Sequence, residues 1–534
     1  MSLLEIDTLR VTFDTPAGPV EAVRGISLTL AEGEALAIVG ESGSGKSQTL
    51  LAAFGLLARN GRTEGSVRFD GQELIGLPPH EMRQRLGRDI GFVFQDPLSS
   101  LTPHIPIGDQ VGEALRIHER LSRREARDRA IDLLARMKLP DAAEIARRYP
   151  HQLSGGQRQR AMIAAALATR PKLLIADEPT TALDVTVQAE ILNLLADLRR
   201  EYGMALAFVT HDLAVAAQVA DRIAVLQHGR IVESGETRTL LAAPRHPYTR
   251  LLAEAATLPA APAYTPRPAA RPLLAARGLR VDYTQPRGLF GRETRCALDD
   301  ASLTVYPGEA IGIVGESGSG KSTLIRALLG LVTPSAGAIE WDGRPLHAPY
   351  PRPLRREMQI VHQDPFGALD PRMTVGASID EPLSIHRRDL SQRGRKALVA
   401  AWLHRVGLSP QLADRYPHEL SGGQNQRVNI ARAFISQPRL VACDEAVSAL
   451  DAQTKSEILD LLADLQRETG VALLFVTHDF HAVARLCSRT IVLHRSKIVD
   501  AGETSSLMSR AGHPTTGDLI AAIPRLPAWE RHPA

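Results

Sequence analysis

The stretch G-E-S-G-S-G-K-S decides the fold, because it occurs twice in the 534-residue chain, at 40–47 and at 315–322. Each copy follows a short apolar run that predicts a β-strand, and G-x-x-x-x-G-K-S after a strand is typical of a phosphate-binding loop. The glycines let backbone N–H groups approach phosphates, and the following helix adds its dipole. An ordinary glycine turn before a helix is the alternative, but two matches after two strands argue against it.

Each loop also supplies two side chains with a defined task. Lys46 and Lys321 place a positive charge at the outer phosphates, while Ser47 and Ser322 offer a hydroxyl to Mg²⁺. The sequence therefore predicts two nucleotide sites. Their loop residues are Gly40, Ser42, Gly43, Gly45, Lys46 and Ser47, and Gly315, Ser317, Gly318, Gly320, Lys321 and Ser322.

Further motifs repeat at a nearly constant spacing, which indicates that a whole domain was duplicated. The two lysines are 275 residues apart, and the later motifs keep offsets of 268 or 267. Insertions of this size belong in surface loops. The repeated pairs are Gln95 and Gln363, Ser154 and Ser421, Asp177 and Asp444, and His211 and His478. We predict domains at 1–255 and 272–520, a Pro/Ala-rich linker at 256–271, and a C-terminal extension at 521–534.

Short apolar runs in both halves end at polar residues. The runs at 172–176 and 439–443 end in Asp-Glu, and those at 205–210 and 472–477 end in His-Asp. Continuous apolar strands with candidate catalytic residues at their carboxyl ends favour a parallel sheet that is covered on both faces. Segments near 100–150 and 368–417 have a mostly helical pattern and predict a helical subdomain in each half. The predicted fold class is α/β, with two tandem P-loop domains.

The composition excludes several other classes of protein. The apolar fraction of 44% and the charged fraction of 23% are typical of a globular chain, and a net charge of +3 gives no strong field for nucleic acid. Three scattered cysteines without a C-x-x-C pair argue against a disulfide framework or a zinc ribbon. No apolar run approaches the roughly 20 residues that cross a bilayer, and the N-terminus lacks the basic start of a signal peptide. We expect a chain without a membrane span and without a nucleic-acid partner.

An Asp-Glu pair ends one predicted strand in each half. Asp177 and Asp444 could hold Mg²⁺, and Glu178 and Glu445 are candidate general bases for an attacking water. Such a pair is often only a solvated strand end. The phosphate-binding loop in the same domain favours the catalytic interpretation.

The motif L-S-G-G-Q, at 153–157 and 420–424, places a serine and two glycines before a helical pattern. A serine at a helix N-terminus beside bare backbone can bind an anion. Because each domain already has a phosphate-binding loop, a second anion site predicts contact with nucleotide held by another domain. The predicted contacts are Ser154, Gly156 and Gln157, and Ser421, Gly423 and Gln424.

With these motifs, both halves resemble the ABC ATPase family throughout. The resemblance implies a β subdomain in each half beside the parallel core and the helical subdomain. It also assigns the Q-loop glutamines Gln95 and Gln363 to Mg²⁺, the switch histidines His211 and His478 to the γ-phosphate, Asp184 and Asp451 to the D-loops, and Phe13 and Tyr283 to stacking on adenine.

The resemblance implies that the two halves form an intramolecular head-to-tail dimer with two ATP molecules and Mg²⁺ between them. Lys46 and Glu178 would then work with Ser421 of the opposite half, and Glu445 with Ser154. Binding of ATP would close this dimer and hydrolysis would open it. Fusion in one chain keeps the two halves at a high effective concentration.

Finer features resemble the ATPases of bacterial oligopeptide, dipeptide and nickel importers. These features are Q-D-P-L-S-S-L-T-P at 95–103, Q-D-P-F-G-A-L-D-P at 363–371, and the tails H-P-Y-T at 246–249 and H-P-T-T at 513–516. The fused arrangement resembles the double-ATPase subunit of peptide importers that also take up microcin C. This resemblance implies two separate transmembrane permease subunits, an extracytoplasmic solute-binding protein, and a peripheral location on the cytoplasmic face of the inner membrane. Peptides, nickel, opines, glutathione and peptide antibiotics stay open as substrates.

Two alternatives share the two-domain architecture. A twin ABC ATPase that acts on ribosomes or nucleic acid typically has a long charged helical linker, whereas this join is short and Pro/Ala-rich. The fused ATPase of a sugar importer lacks the Q-D-P and H-P-Y-T elements. Both are weaker interpretations than the peptide-type importer.

The halves differ beside the predicted sites. Pro179 of the first half corresponds to Ala446, and Arg158 corresponds to Asn425. All predicted catalytic residues are nevertheless present in both halves. We therefore predict two competent ATP sites with unequal rates.

Overall fold

The computed structural model describes residues 2–16, 18–180, 183–257, 259, 261–263, 271–287, 291–448 and 450–527. They divide into two compact units, one built mainly from Met1–Leu183 and Val187–Thr257 and the other from Leu258–Ile523. Much of the predicted linker, including 264–270, and the end of the predicted extension, 528–534, lie outside the described residues. The exact domain boundaries remain predictions.

The first unit opens with a long β-hairpin and then alternates strands with helices. Its strands are β1 (Ser2–Thr15), β2 (Gly18–Ala31), β3 (Ala35–Val39), β4 (Gly61–Phe69), β5 (Gln72–Glu73), β6 (Ile90–Val93), β7 (Leu173–Asp177), β8 (Ala205–Thr210), β9 (Arg222–Gln227) and β10 (Arg230–Glu236). Its helices are α1 (Lys46–Ala53), α2 (Pro79–Arg85), α3 (Pro97–Ser100), α4 (Ile107–Val111), α5 (Glu113–His118), α6 (Arg123–Arg136), α7 (Ala142–Ile145), α8 (Gly155–Ala166), α9 (Val185–Tyr202), α10 (Leu213–Val219), α11 (Thr237–Ala242) and α12 (Pro247–Ala255), with a 3₁₀ turn at Pro150–Gln152.

The second unit repeats this order. Its strands are β11 (Leu274–Arg287), β12 (Gly291–Val305), β13 (Ala310–Val314), β14 (Ala336–Trp341), β15 (Arg344–Leu346), β16 (Met358–Val361), β17 (Leu440–Asp444), β18 (Ala472–Val476), β19 (Arg489–His494) and β20 (Lys497–Glu503). Its helices are α13 (Lys321–Leu328), α14 (Arg352–Glu357), α15 (Val375–His386), α16 (Gln392–Arg405), α17 (Gly422–Phe434), α18 (Ala452–Thr469), α19 (Phe480–Leu486), α20 (Thr504–Ser509) and α21 (Pro514–Ala521), with 3₁₀ turns at Pro410–Asp414 and Pro417–Glu419.

A six-stranded sheet forms the centre of each unit. The strand orders are β10-β9-β3-β8-β7-β6 and β16-β17-β18-β13-β19-β20. Neighbouring strands pair in parallel, except for the antiparallel pairs β9–β10 and β19–β20. The strand that leads into each glycine loop therefore lies inside a mainly parallel sheet. This topology confirms the predicted α/β fold class.

A four-stranded sheet in each unit forms the predicted β subdomain. Its strand orders are β2-β1-β4-β5 and β12-β11-β14-β15, and its strands pair antiparallel. Buried apolar side chains of β1, including Leu4 and Val11, join a cluster with Leu36 and Ile38 of β3. The β subdomain thus covers one face of the central sheet.

Helices α8 and α10 pack against strands of the central sheet and, with the helical segment, belong to the apolar cluster on the other face of that sheet. In β3, Ala37 and Val39 alternate with the residues named above and belong to a cluster that includes Leu115 of α5 and Leu134 of α6. The helical subdomain is therefore continuous with the core of its unit. Burial on both faces explains why the strand sequences are apolar without interruption. Across the described part of the chain, no helix is both long and apolar enough to cross a bilayer.

Candidate functional site

The glycine loops join β3 to α1 and β13 to α13. Gly45 and Gly320 precede the two helices with φ angles of 101° and 107°, in the left-handed region that favours glycine. Neither helix start has a side-chain cap, so its first N–H groups stay directed towards the loop. A Cβ on Gly40 would lie 2.3 Å from the carbonyl oxygen of Leu226, which shows how closely the loop approaches the neighbouring strand.

Two observations show that a phosphate group fits these loops. At Gly43 and Gly318, the space that a side chain would occupy is open. Ser44 and Ser319 have buried hydroxyl groups that make no hydrogen bond within the described residues. The backbone, these hydroxyls and the helix N-terminus together form a cradle for an anion.

The loop lysines are buried and curl over their own loops. The Lys46 ammonium donates hydrogen bonds to the carbonyl oxygens of Gly40, at 2.8 Å, and Glu41, at 2.7 Å. Lys321 makes the equivalent bonds at 2.7 and 2.9 Å. Burial lowers the pKa of the Lys321 ammonium, while nearby carboxylates oppose this shift. A buried cation beside an open cradle favours an anionic ligand.

The serine and the aspartate predicted to bind Mg²⁺ are hydrogen-bonded to each other in each half, whereas the predicted glutamine contacts the neighbouring glutamate. Ser47 Oγ donates to Asp177 Oδ1 at 2.8 Å, and Ser322 Oγ donates to Asp444 Oδ1 at 3.0 Å. Burial raises the pKa of both aspartates, although the serine hydrogen bonds oppose this shift. The described residues include no cluster of three or more His, Cys, Asp or Glu that could hold a metal ion. A Mg²⁺ ion here would take most of its other ligands from phosphates and water.

Replacing Asp177 or Asp444 by asparagine should raise the melting temperature of the nucleotide-free protein at pH 8. A carboxyl with a raised folded-state pKa destabilises the fold wherever it is ionised. That cost is full above the raised pKa and disappears as the pH falls towards the ordinary value of 3.8. We expect a gain of about 2 °C at pH 8 and a smaller gain near pH 4, measured by thermal melts.

The control for this experiment is Asp132→Asn on the exposed side of α6, which should change neither melt. An equal gain at both pH values would show that the stabilisation does not come from removing an ionised carboxylate.

The candidate general bases lie in a strained turn directly after β7 and β17. Glu178 and Glu445 have φ angles of 46° and 50°. A left-handed backbone at a residue other than glycine costs roughly 1–3 kcal/mol and persists only where the surroundings impose it. Here the Glu178 N–H donates to the Val209 carbonyl at 3.0 Å, and the Glu445 N–H donates to that of Val476 at 2.9 Å. The neighbouring strand therefore fixes the turn.

Each of these glutamates contacts the predicted Q-loop glutamine and switch histidine. Gln95 Nε2 donates to Glu178 Oε2 at 3.0 Å, and His211 Nδ1 lies 3.6 Å from the same oxygen. In the second half the corresponding distances are 2.8 Å from Gln363 and 3.8 Å between His478 Nδ1 and Glu445 Oε1. His478 holds the pKa of the Glu445 carboxyl below its ordinary value, against the opposing effect of burial. A carboxylate that is ionised at neutral pH can accept a proton from water.

The signature serines begin α8 and α17, where the sequence predicts helix starts. Ser154 Oγ accepts a hydrogen bond from the Gln157 N–H at 3.3 Å, and the Gln157 side chain accepts one from the Ser154 N–H at 3.1 Å. Ser421 and Gln424 form the same capping box. Both serines are exposed, so each unit has an accessible helix N-terminus at which an anion could bind.

The second glycine of each signature packs closely against the helix that follows the D-loop. A Cβ on Gly156 would lie 2.7 Å from Cγ1 of Val187, and one on Gly423 would lie 2.6 Å from Cγ2 of Thr454. In contrast, a Cβ on Gly422 would meet nothing within 4 Å. A larger residue at the second glycine must therefore displace the signature or its neighbouring helix.

The D-loop aspartates lie at the starts of the helices on which the signature glycines pack. Asp451 caps α18 and accepts hydrogen bonds from the N–H and the hydroxyl of Thr454, at 3.0 and 2.9 Å. Asp184 Oδ1 accepts a hydrogen bond from the Thr186 hydroxyl at 2.7 Å. The structure therefore gives Asp451 a capping role and Asp184 a contact with the first turn of α9, and their contact with nucleotide stays a prediction.

The aromatic residues assigned to adenine lie on the long strands of the β subdomains. Phe13 pairs with Val20 and is partly buried against the core, and a Cβ on Gly61 would lie 2.9 Å from its ring. Tyr283 pairs with Arg295 and is 37% exposed. Their stacking on a base stays a prediction.

The difference between Arg158 and Asn425 beside the two signatures is explained by their local hydrogen bonds. Arg158 Nε donates to the Leu153 carbonyl at 2.9 Å. The fully buried Asn425 donates instead to Pro417, at 2.8 Å, and to Leu420, at 3.4 Å. Both residues support the loop before the serine, but only the arginine adds a charge there.

Sequence reasoning missed two contacts that position the site. Asp212 and Asp479, in the two T-H-D motifs, cap α10 and α19, and Asp212 accepts hydrogen bonds from two N–H groups of the helix. An aspartate before a helical pattern is a known N-cap signal and could have revealed them. The hydroxyl of Tyr248 in the H-P-Y-T tail accepts a hydrogen bond from the N–H of Glu41, in the first glycine loop. No sequence signal predicts that contact.

Each unit thus has the fold of a P-loop nucleoside triphosphatase, and its glycine loop and its exposed signature helix N-terminus are candidate anion sites. A family model described as ABC transporter matches residues 23–181 and 298–448. The chain belongs to the ABC transporter family, as an ATP-binding subunit that hydrolyses ATP. A second model, described as the C-terminal region of oligopeptide/dipeptide transporters, matches residues 232–276.

Curated relatives are similar over almost the whole chain. The glutathione import ATP-binding protein GsiA of Pectobacterium atrosepticum is 43% identical over 558 residues, which cover 98% of this chain and 89% of the relative. The protein of the same name from Escherichia coli strain K12 is 43% identical over 562 residues, with 98% and 90% covered. A solved structure titled as the dimeric bacterial ABC transporter cassette MJ0796 is 34% identical and covers 44% of this chain and 99% of its own, with a TM-score of 0.41.

Proposed function

We propose that this protein is the energy-coupling ATPase of an importer for glutathione or related small peptides. It would dock on two separate membrane-spanning permease subunits at the cytoplasmic face of a bacterial inner membrane, and an extracytoplasmic binding protein would deliver the solute. The observation that carries the proposal is the complete hydrolytic set in each half. Relatives described as glutathione import proteins, and the match to the oligopeptide/dipeptide C-terminal region, support this substrate class.

The residues of each half support a division of labour in hydrolysis. The glycine loop and Lys46 would hold the phosphates of ATP, while Ser47 and Asp177 would hold Mg²⁺. Glu178 would accept a proton from the attacking water, and His211 would contact the γ-phosphate. The second half repeats this set from Lys321 to His478.

The Q-loop supports a route from the site to a permease subunit. Gln95 bonds the candidate base and comes two residues after the end of the edge strand β6, so it links the site to the surface formed by its neighbours in the chain. That surface exposes Phe94 and Leu98, which are 39% and 56% accessible, and the second half exposes Phe366 at 49%. We propose that these apolar surfaces receive the permease subunits, so that docking and hydrolysis affect each other through the glutamine.

The signature serines support a composite arrangement of the two ATP sites. Each exposed helix N-terminus would complete the site of the opposite half, with Ser421 facing the nucleotide of Lys46 and Ser154 that of Lys321. Arg158 would thereby add its charge beside the second site, whereas Asn425 leaves the first without one. This difference supports unequal rates at the two sites.

A tagged chain purified from gently solubilised membranes tests the partnership. We expect two multispanning proteins to co-purify, and ATP turnover of that complex should rise when the loaded binding protein is added. A stable pool bound only to ribosomes would instead favour the non-transport alternative.

Uptake measurements test the substrate class. Cells that lack this protein should lose uptake of labelled glutathione, and the wild-type chain should restore it. The Glu178→Gln/Glu445→Gln chain should not restore it, which ties uptake to hydrolysis. Restored uptake of nickel or an opine, with glutathione uptake unaffected, would refute the proposed solute.

A further inference from the structure

The tail H-P-Y-T at 246–249 is held in place by contacts that do not involve its tyrosine side chain. The two carboxylate oxygens of Glu233 accept hydrogen bonds from the N–H groups of Arg245, at 2.9 Å, and His246, at 3.0 Å. His246 Nδ1 accepts the N–H of Tyr248 at 3.2 Å and so caps α12. Thr249 is fully buried. The tail is therefore anchored by its backbone and its histidine, and by the burial of its threonine.

The second tail, H-P-T-T at 513–516, makes the corresponding backbone and histidine contacts and adds one from its threonine. Asp500 accepts hydrogen bonds from the N–H groups of Gly512 and His513, both at 3.0 Å, and from the hydroxyl of Thr516 at 2.9 Å. His513 Nδ1 accepts the N–H of Thr515 at 3.2 Å. Because this tail docks without a tyrosine, anchoring alone does not require one.

The tyrosine instead contacts the first glycine loop. Tyr248 is 5% exposed, and its hydroxyl accepts the N–H of Glu41 at 2.9 Å. The carbonyl of the same residue accepts a hydrogen bond from Lys46 at 2.7 Å. Both backbone polar groups of Glu41 are therefore held, one by the tail and one by the phosphate-binding lysine.

The second loop lacks this contact. The residue corresponding to Tyr248 is Thr515, whose side chain is much shorter than a tyrosine. Among the described residues, it makes no hydrogen bond to the second loop. Glu316, which corresponds to Glu41, instead has its carboxylate 3.7 Å from Nδ1 of His494. The two loops are thus supported by different chemistry.

We propose that Tyr248 is a positioning residue that sets the nucleotide affinity of the first site, and that its absence from the second tail makes the two sites bind nucleotide unequally. The proposal depends on the nucleotide sites proposed above, but not on the imported solute. A loop that is already fixed in its binding geometry loses less freedom when phosphates bind. The first site should therefore hold nucleotide more tightly than the second.

The main test compares binding of Mg²⁺–ADP to two variants by calorimetry. In the Lys321→Ala chain, only the first site should bind Mg²⁺–ADP. Adding Tyr248→Phe should weaken that binding by about three- to tenfold, which corresponds to the free energy contributed by one buried hydrogen bond. In the otherwise wild-type chain, Tyr248→Phe should raise the KM for ATP and leave kcat at saturating ATP nearly unchanged. Tyr202→Phe, which removes a hydroxyl bonded to Arg136 at the end of α9, is the matched control and should change neither constant.

Hydrogen exchange gives a second test that needs no variant. In the nucleotide-free wild-type chain, the Glu41 amide should exchange more slowly than the Glu316 amide, because only the former donates to a buried hydroxyl. Equal exchange at the two amides would overturn the proposal. So would a Tyr248→Phe chain that melts earlier but binds Mg²⁺–ADP normally, since the tyrosine would then be purely structural. If the Lys321→Ala chain binds no ADP at all, the proposed first site is itself wrong, and the role of Tyr248 is rejected with it.

Discussion

The Glu178→Gln/Glu445→Gln double variant should lose ATP turnover by a factor on the order of 10²–10³. Glutamine keeps the shape of the side chain and can still contact Gln95 or Gln363, but it cannot accept a proton from water. Each single variant should also lower turnover strongly and to a different extent, because the signature residues that complete the two proposed sites differ. Release of phosphate from purified protein measures all three rates.

The control for this experiment is Glu254→Gln, on α12 and outside the proposed sites. It should leave turnover unchanged, and all the variants should bind Mg²⁺–ADP and melt like the wild-type chain. If either single variant kept full turnover and full uptake, the corresponding site would be structural rather than hydrolytic.

Replacing Gly156 or Gly423 by aspartate should lower ATP turnover by a factor on the order of 10². A side chain there collides with the helix after the D-loop, at 2.7 Å in the first half and 2.6 Å in the second. The added carboxylate also repels a phosphate at the helix N-terminus, where the proposed composite sites need electrostatic stabilisation. Phosphate release and Mg²⁺–ADP binding, measured on the same preparation, check the prediction.

The comparison of phosphate release with Mg²⁺–ADP binding decides this test. Affinity for ADP should be unchanged, because the glycine loops are not altered. Gly422→Ala is the matched control, since its new methyl group meets nothing within 4 Å, and it should retain turnover. If Gly423→Asp retained turnover as well, the signature would take no part in hydrolysis.

The central architecture could be predicted from sequence because its signals are local. Apolar runs that end at Asp177, Thr210 and Val314 became buried parallel strands with bounds within one or two residues of those expected. The glycine loops and the signature serines each combine a strand or helix boundary with a polar residue at a fixed spacing. Such patterns depend on neighbours in the chain and carry over into the fold.

The remaining features depend on contacts between distant residues. The closeness of Gln95 to Glu178 was implied only by resemblance, and the strained backbone at Glu178 results from a hydrogen bond to the neighbouring strand. The contact between Tyr248 and Glu41 joins residues 207 positions apart and follows no local rule. The sequence showed that the tails differ, but only the structure shows what the tyrosine contacts.

The large sequence separation between Glu41 and Tyr248 affects when their contact can form during synthesis of the chain. During synthesis, domains fold as units from the N-terminus, so the first glycine loop emerges from the ribosome long before its tyrosine does. The loop can adopt its final support only when almost the entire first half has been translated. A nascent or truncated chain that ends before residue 248 would contain the complete glycine loop and still lack that support. Full nucleotide affinity at the first site would therefore mark a completed first half, before the second half exists.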